Sequence, residues 1–159
     1  MLLIIFFFLG LAVGSFLNVL IDRLPKDESI TYPSSHCDHC KKPLVWYDLI
    51  PVFSFLFLQG RCRYCHKPIN WLYPLVEFLT GAAFVAAAFY KGYWDDWGNL
   101  LYYLFITSSF IVIFFTDLRY GIIPDKIVFP AIAVTFMYLI YINLAGQTPE
   151  TCEVGCHLL

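Results

Sequence analysis

Charge is scarce in this 159-residue chain: Asp, Glu, Lys and Arg make up 14% of it, against roughly a quarter of an ordinary soluble domain. Ten basic and twelve acidic side chains leave a formal net charge of −2. That balance, with a pI of about 6.0, gives no support for nucleic-acid binding, and no nucleic-acid partner is expected. The apolar share is 60%, and the mean hydropathy is +0.69. A soluble body of this size buries only about two thirds of its unfolded surface, too little to hide 16 Phe and 11 Tyr. A water-soluble single-domain enzyme is therefore excluded as the leading reading, and a lipid bilayer is the expected surrounding. Other absences narrow the field. No charged side chain precedes the first apolar run and no small-x-small pattern follows it, which argues against a cleaved signal peptide. No glycine-rich cofactor loop follows a strand. No internal repeat or row of charges within the spans supports a transporter or channel.

What is present reads as an all-α integral membrane helical bundle of about four transmembrane helices. Residues 2–21 carry no formal charge and, at about 1.5 Å per residue, reach across roughly 30 Å of hydrocarbon. Further spans are expected at 72–90, at 97–116 and at 127–145, with Pro130 near the start of the last. Gly10, Gly14, Ser15 and Asn18 mark a packed face on the first span, and the small residues of 81–88 allow close helix contact on the second. Residues 22–71 form a polar insert, within which the apolar run 49–58 is too short to span and either lies at the interface or packs on the bundle. Residues 72–145 make a three-helix membrane part, and 146–159 an outer, truncated tail.

Basic residues set the expected orientation. Seven lie in the insert (Arg23, Lys26, Lys41, Lys42, Arg61, Arg63 and Lys67), and Arg119 and Lys126 lie in the turn 117–126, making nine. Lys91 stands alone on the other side with Asp95, Asp96, Glu150 and Glu153. The positive-inside rule then places the N-terminus outside and both the insert and the 117–126 turn in the cytoplasm. Trp94 and Trp97 mark the outer interface, Trp46 and Trp71 the inner one.

The insert contains Cys37-x-x-Cys40 and, twenty-one residues later, Cys62-x-x-Cys65. Two such knuckles close a tetrahedral zinc site, and four thiolates leave no position for an activated water, so the expected zinc is structural. Flanking Lys41, Lys42, Arg61 and Arg63 favour the thiolate form, and a cytoplasmic insert argues against disulfides. His39 and His66 are expected just outside the shell. Cys152 and Cys156, four apart, are open to a disulfide or to no role. Three carboxylates stand out near the spans. Asp117 ends an apolar helix and is open to two readings, a catalytic residue or an interface residue with Arg119 as counter-charge. Asp125 suits a helix N-cap. Glu77, inside the second span, is open to a functional role or to pairing with a cation.

Several segments, in order, resemble the bacterial type IV prepilin peptidases, the prepilin leader peptidase/N-methyltransferases. They are Gly14-Ser15-Phe16-Leu17-Asn18 with Asp22-Arg23-Leu24-Pro25, Leu44-Val45-Trp46-Tyr47-Asp48-Leu49-Ile50-Pro51, Gly60-Arg61-Cys62-Arg63-Tyr64-Cys65, Tyr73-Pro74-Leu75-Val76-Glu77 and the turn from Asp117 to Asp125. The resemblance covers residues 9–145. It implies an inner-membrane aspartic endopeptidase that removes the basic leader of prepilins or pseudopilins, then methylates the new N-terminus with S-adenosylmethionine. By the same resemblance Asp117 is the first catalytic aspartate, and Cys37, Cys40, Cys62 and Cys65 belong to the zinc-binding domain. The family's second aspartate sits in a Gly-x-Gly-Asp motif that this sequence lacks. The chain is therefore expected to be a truncated or naturally short form, or to take its missing C-terminal half from a partner chain. The alternatives are a non-proteolytic zinc-containing module that binds pilin-like substrates or partner subunits, and a methyltransferase-only fragment.

Overall fold

The computed structural model describes residues 2–37, 39–89 and 97–144. Cys152, Cys156, Trp94, Lys91 and the acidic residues beside them, with the tail 146–159, lie outside the described residues. Four long helices dominate: α1 (Leu2–Arg23), α3 (Leu72–Phe89), α4 (Trp97–Tyr120) and α5 (Asp125–Leu144), with a short α2 (Phe53–Phe57) in the insert. Each long helix has the length and apolar composition to cross a membrane. The four-cysteine cluster lies between α1 and α3.

The bundle is built on an antiparallel α1–α3 pair brought close by glycine. A Cβ on Gly10 would stand 2.7 Å from the Cα of Gly81, and one on Gly14 2.7 Å from the Cα of Glu77. Such backbone proximity is how helices associate where lipid offers no hydrophobic drive. Asn18, one turn further on, donates from Nδ2 to the Tyr73 carbonyl at 3.0 Å. The packed face expected from Gly10, Gly14 and Asn18 is thus the α3 interface. Two apolar clusters fill the bundle. At the insert end Leu17, Leu20, Ile21 and Leu24 meet Val76, Val112 and Phe115. At the far end Phe6, Phe84 and Ala88 meet Leu100 and Leu104. Helix α5 buries none of its residues and leans on α4, where Tyr102 and Tyr138 stack at 3.8 Å and Tyr138 donates to Asn99 at 2.6 Å.

Three helix ends depart from expectation, the first being α1, which runs on to Arg23 past the expected Ile21. Helix α4 runs through Asp117 to Tyr120 and stops at Gly121, whose φ of +64° suits the left-handed cap and whose N–H bonds the Asp117 carbonyl at 2.8 Å. Asp125 is the first helical residue of α5, not its N-cap: the Pro124 carbonyl accepts the first helical bond, from Val128 at 3.2 Å. A carboxylate there still favours the positive helix end. Pro130 consequently lies inside α5, where it removes an amide donor.

The insert, outside the spans, holds a short internal repeat. At an offset of 25 residues, Cys37-x-x-Cys40-Lys41-Lys42-Pro43-Leu44 matches Cys62-x-x-Cys65-His66-Lys67-Pro68-Ile69, and the two copies fold alike. Cys37 N–H bonds the Lys42 carbonyl at 3.0 Å and Cys62 N–H the Lys67 carbonyl at 2.8 Å. Lys41 and His66 take φ values of +56° and +57°. The run 49–58 packs on the bundle: Phe53 stacks on Phe8 of α1, and Val52 N–H bonds Glu77 Oε2 at 2.7 Å. Its outer face, with Leu56 and Phe57, is exposed.

Candidate functional site

The two knuckles bring Cys37, Cys40, Cys62 and Cys65 together, with all four sulfurs within 4.8 Å of one another. Tetrahedral zinc with Zn–S bonds near 2.3 Å requires S···S distances of about 3.8 Å. Cys37 and Cys65 Sγ stand 3.8 Å apart, so the donor set fits a four-thiolate zinc. No histidine belongs to the group among the described residues. The protein prepares the first thiolate. Burial opposes ionisation of Cys62, but the N–H groups of Cys65 and Tyr64 and the neighbouring thiols of Cys37 and Cys65 outweigh it and bring it down to about 7. For Cys65 the Lys67 N–H favours the thiolate, yet burial and its three cysteine neighbours push it up to about 11.

Asp117 is exposed, three residues from the end of α4. Its partner is not Arg119. That guanidinium pairs with Asp22 at the end of α1, whose other oxygen takes the Tyr73 hydroxyl of α3 at 2.7 Å. Arg119 also lies over the Tyr73 and Tyr120 rings, 5.9 and 5.4 Å from their centroids. Three helix ends are thus fastened at one point. Two residues along a helix amount to about 200° of rotation, so Arg119 facing α1 turns Asp117 away from it. Asp117 shares its outward stripe with Phe110, Phe114 and Leu118, each more than half exposed. Arg119 is therefore not the counter-charge of an interface Asp117, because Asp22 takes it; the exposed place of Asp117 near the end of α4 is compatible with both the catalytic and the interface reading. Asp22 was missed because its partners are 51 and 97 residues away and no local pattern announces them.

A second site residue was quoted only within a motif. Asp48 has a side chain 2% exposed and accepts from Arg63 Nε at 2.7 Å. It lies in the one-turn 3-10 helix Trp46–Leu49. Arg63 covers the Tyr47 ring at 4.8 Å, so the two knuckle segments hold each other through this pair. Glu77, for which two readings were open, is buried and accepts the Val52 N–H rather than a cation.

Comparison with known proteins agrees with this architecture. Residues 8–91 match the family model of the bacterial peptidase A24 N-terminal domain. The chain is 42% identical over 124 residues to a prepilin leader peptidase/N-methyltransferase of Myxococcus xanthus, covering 78% of this chain and 36% of that protein. It is 38% identical to the protein of the same name in Klebsiella pneumoniae (78% and 56% covered), and 35% identical to that of Bacillus subtilis (77% and 48%). The chain thus spans from about a third to just over half the length of these relatives. No solved structure matches it. With a four-helix membrane bundle, a four-cysteine knuckle pair between its first two spans and a family match across more than half its length, the chain belongs to the bacterial peptidase A24 N-terminal domain family.

Proposed function

We propose that this chain is the N-terminal, membrane-embedded part of a prepilin leader peptidase, an aspartic endopeptidase in which Asp117 is one of two catalytic carboxylates. The substrate would be a prepilin or pseudopilin, a basic leader followed by an apolar helix. The mechanism is acid–base hydrolysis. Two carboxylates held close share a proton because both do not ionise easily. One activates a water against the scissile carbonyl, and the other donates a proton toward the leaving amine. Zinc, when bound, holds the insert together. The relatives' names add N-methylation, for which S-adenosylmethionine is the proposed methyl donor.

The observation that carries this reading is the outward aim of Asp117. A carboxylate on an apolar helix stripe is costly in lipid unless it has a purpose or a cover, and the Asp22–Arg119–Tyr73 clamp fixes it there. The stripe is the surface on which a partner segment would place the second carboxylate. The distribution of Lys and Arg, nine against one, supports an inner-membrane orientation with the N-terminus outside and with the insert and Asp117 in the cytoplasm. A second reading, a non-proteolytic zinc-containing module, is favoured by a separate fact: Asp117 lines neither the cavity beneath the insert nor the groove between α4 and α5.

The test is cleavage of a pilin-type substrate with a basic leader in membranes. The chain would be assayed alone and with the C-terminal half of the Klebsiella pneumoniae relative, each with Asp117 intact or as Asp117→Asn. Cleavage that needs the intact aspartate supports the peptidase. Cleavage undiminished by the substitution, or none in any combination, defeats it and leaves the module.

A further inference from the structure

The apolar run 49–58 reaches further along the bundle than an element lying on a membrane surface would. The charge-free stretch of α1 ends at Ile21, with Asp22 and Arg23 next. Charges are costly in hydrocarbon, so on the insert side the hydrocarbon begins close to Ile21. Gly14 packs on Glu77, and the helix from Gly14 to Ile21 rises about 10 Å. Glu77 therefore lies well inside a leaflet whose hydrocarbon is about 15 Å thick. Yet its Oε2 accepts the Val52 N–H of the insert at 2.7 Å. Phe53 reaches deeper. Its ring stacks on that of Phe8 with 6.4 Å between centroids, and Phe8 lies about 9 Å beyond Gly14 along α1. The chain then returns to the side it came from: Phe55 meets Trp71, just ahead of α3, at 4.7 Å, and Gly60 leads into the second knuckle.

Such a path is viable in lipid only where the backbone is satisfied within the protein. Here it is. Pro51 has no N–H, and the Val52 N–H goes to Glu77. The N–H groups of Ser54, Leu56 and Leu58 bond the carbonyls of Ile50, Val52 and Ser54, at 3.0, 3.1 and 3.0 Å. The irregular step is Val52, with a φ of +61°, a conformation a β-branched residue adopts only under constraint. Its bond to Glu77 is that constraint. Behind the segment lies a cavity of about 470 Å³ lined by Ser15, Asn18, Ser54 and Glu77. It is also lined by Asp48, whose Oδ2 is the one buried side-chain oxygen or nitrogen without a hydrogen-bond partner among the described residues. Irregular backbone is tolerated at membrane depth where it lines a polar space of this kind.

The two faces of the segment differ accordingly. Ser54 is turned to the cavity, while Ile50, Phe53, Leu56 and Phe57 are exposed, Phe57 at 85%. No formal charge lies between Asp48 and Arg61. The outward face continues an apolar surface that already belongs to a span: Ile4, Ile5, Phe8 and Leu9 are exposed on α1, and the Phe8–Phe53 stack joins the two.

We propose that residues 49–58 are a re-entrant segment immersed in the leaflet on the insert side, with lipid acyl chains covering Ile50, Leu56 and Phe57, while the zinc knuckles stay outside the hydrocarbon. The inference stands on the α1–α3 register and the satisfied backbone of the segment, and it does not depend on hydrolysis at Asp117.

The test uses the whole chain, zinc-loaded, in phosphatidylcholine nanodiscs, with the photo-crosslinker p-benzoylphenylalanine replacing one residue at a time. The positions are Phe57 on the proposed lipid face, Phe8 on the exposed side of α1, and Lys42, exposed on the first knuckle. Adducts are resolved by mass spectrometry after irradiation. The probe at 57 should attach to acyl chains in a yield comparable with that at 8, and the probe at 42 should give no acyl adduct. If the variant at 57 sheds its zinc, Leu56 takes the probe with the same result expected. Attachment only to a second protein chain would overturn the proposal, because a protein would then cover the face. Attachment only to headgroups, or to no lipid, would place the segment on the membrane surface or in water. An acyl yield at 42 equal to that at 57 would equally defeat the claim that the segment, and not the knuckles, enters the leaflet.

Discussion

Replacing Gly10 or Gly14 by alanine tests the packing that organises the bundle, because the sign of the effect decides between two physical accounts. In an isolated helix alanine is the better former by about 1 kcal/mol, so a glycine without a packing role predicts stabilisation. The structure predicts the reverse. A Cβ at position 10 would lie 2.7 Å from Gly81 Cα and 2.8 Å from the Thr80 carbonyl oxygen, and one at position 14 would lie 2.7 Å from Glu77 Cα. These neighbours are helix backbone, which does not yield locally, so α1 must withdraw from α3 by about 1 Å. A gap of that order forfeits a quarter to a half of each dispersion contact along the seam. It also stretches the Asn18–Tyr73 bond. Overpacking costs typically about 1–3 kcal/mol, so each substitution should destabilise by roughly 1–2 kcal/mol after the propensity gain. Unfolding of the chain in mixed micelles, titrated with a denaturing detergent, reads this directly. Leu9→Ala, on the exposed side of α1, should stay within about 0.5 kcal/mol. Alanine at 10 or 14 that stabilised the chain would refute the account of α1–α3 packing.

The Asp22 clamp gives a second expectation: Arg119→Ala leaves a partly buried Asp22 without its counter-charge, with only tyrosine hydroxyls as donors, and should cost about 1–3 kcal/mol, with faster amide exchange confined to the last turns of α4. The Lys126–Asp27 pair should behave differently, although Lys126 holds Asp27 below the usual carboxylate range through a hydrogen bond and its charge. Its stabilisation would be present above the ordinary aspartate pKa and lost as pH falls through the lowered one, but both groups are solvent-exposed. Asp27→Asn should therefore leave the unfolding midpoint unchanged within error, and a clear shift would mean that the pair is shielded by something the bundle contacts. The knuckles predict one zinc per chain by elemental analysis, lost in Cys62→Ser. They also predict a pH dependence. Above about 7 Cys62 is ionised and ready to bind, while Cys65 keeps its proton up to about 11. Zinc added at pH 8 must therefore displace the Cys65 proton, and acidification through 7 should weaken binding as Cys62 takes one up; an indicator dye and a competing chelator measure the two effects.

The spans were legible because twenty apolar residues admit few other structures, and the zinc cluster because Cys-x-x-Cys spacing is nearly a geometry in itself. Helix ends were read less well, for reasons local to each. Helix α1 continues to Arg23, past the expected Ile21, because the guanidinium finds three carbonyl acceptors in the chain that follows. Helix α4 continues past Thr116 because Arg119 finds Asp22 across the bundle. Asp125 falls one position inside α5 because Pro124, already committed to a compatible φ, supplies the first accepting carbonyl. The knuckle repeat escaped notice because only the two cysteines, one lysine and the proline recur identically; its likeness is in backbone conformation. Asp48 carried no signal beyond a motif. Its importance comes from burial and from an unmatched oxygen, which no period or spacing in a sequence reports.

Arg119 and Asp117 are two residues apart, yet they belong to opposite sides of α4. Arg119 lines the cavity beneath the insert, and Asp117 faces out with Phe110 and Phe114. One ion pair therefore sets two things together: it closes the cavity wall on the α1 side and fixes the angle at which Asp117 leaves the bundle. A rotation of α4 that brought Asp117 into the cavity would have to break Asp22–Arg119 and expose Thr116 and Phe115, both now buried.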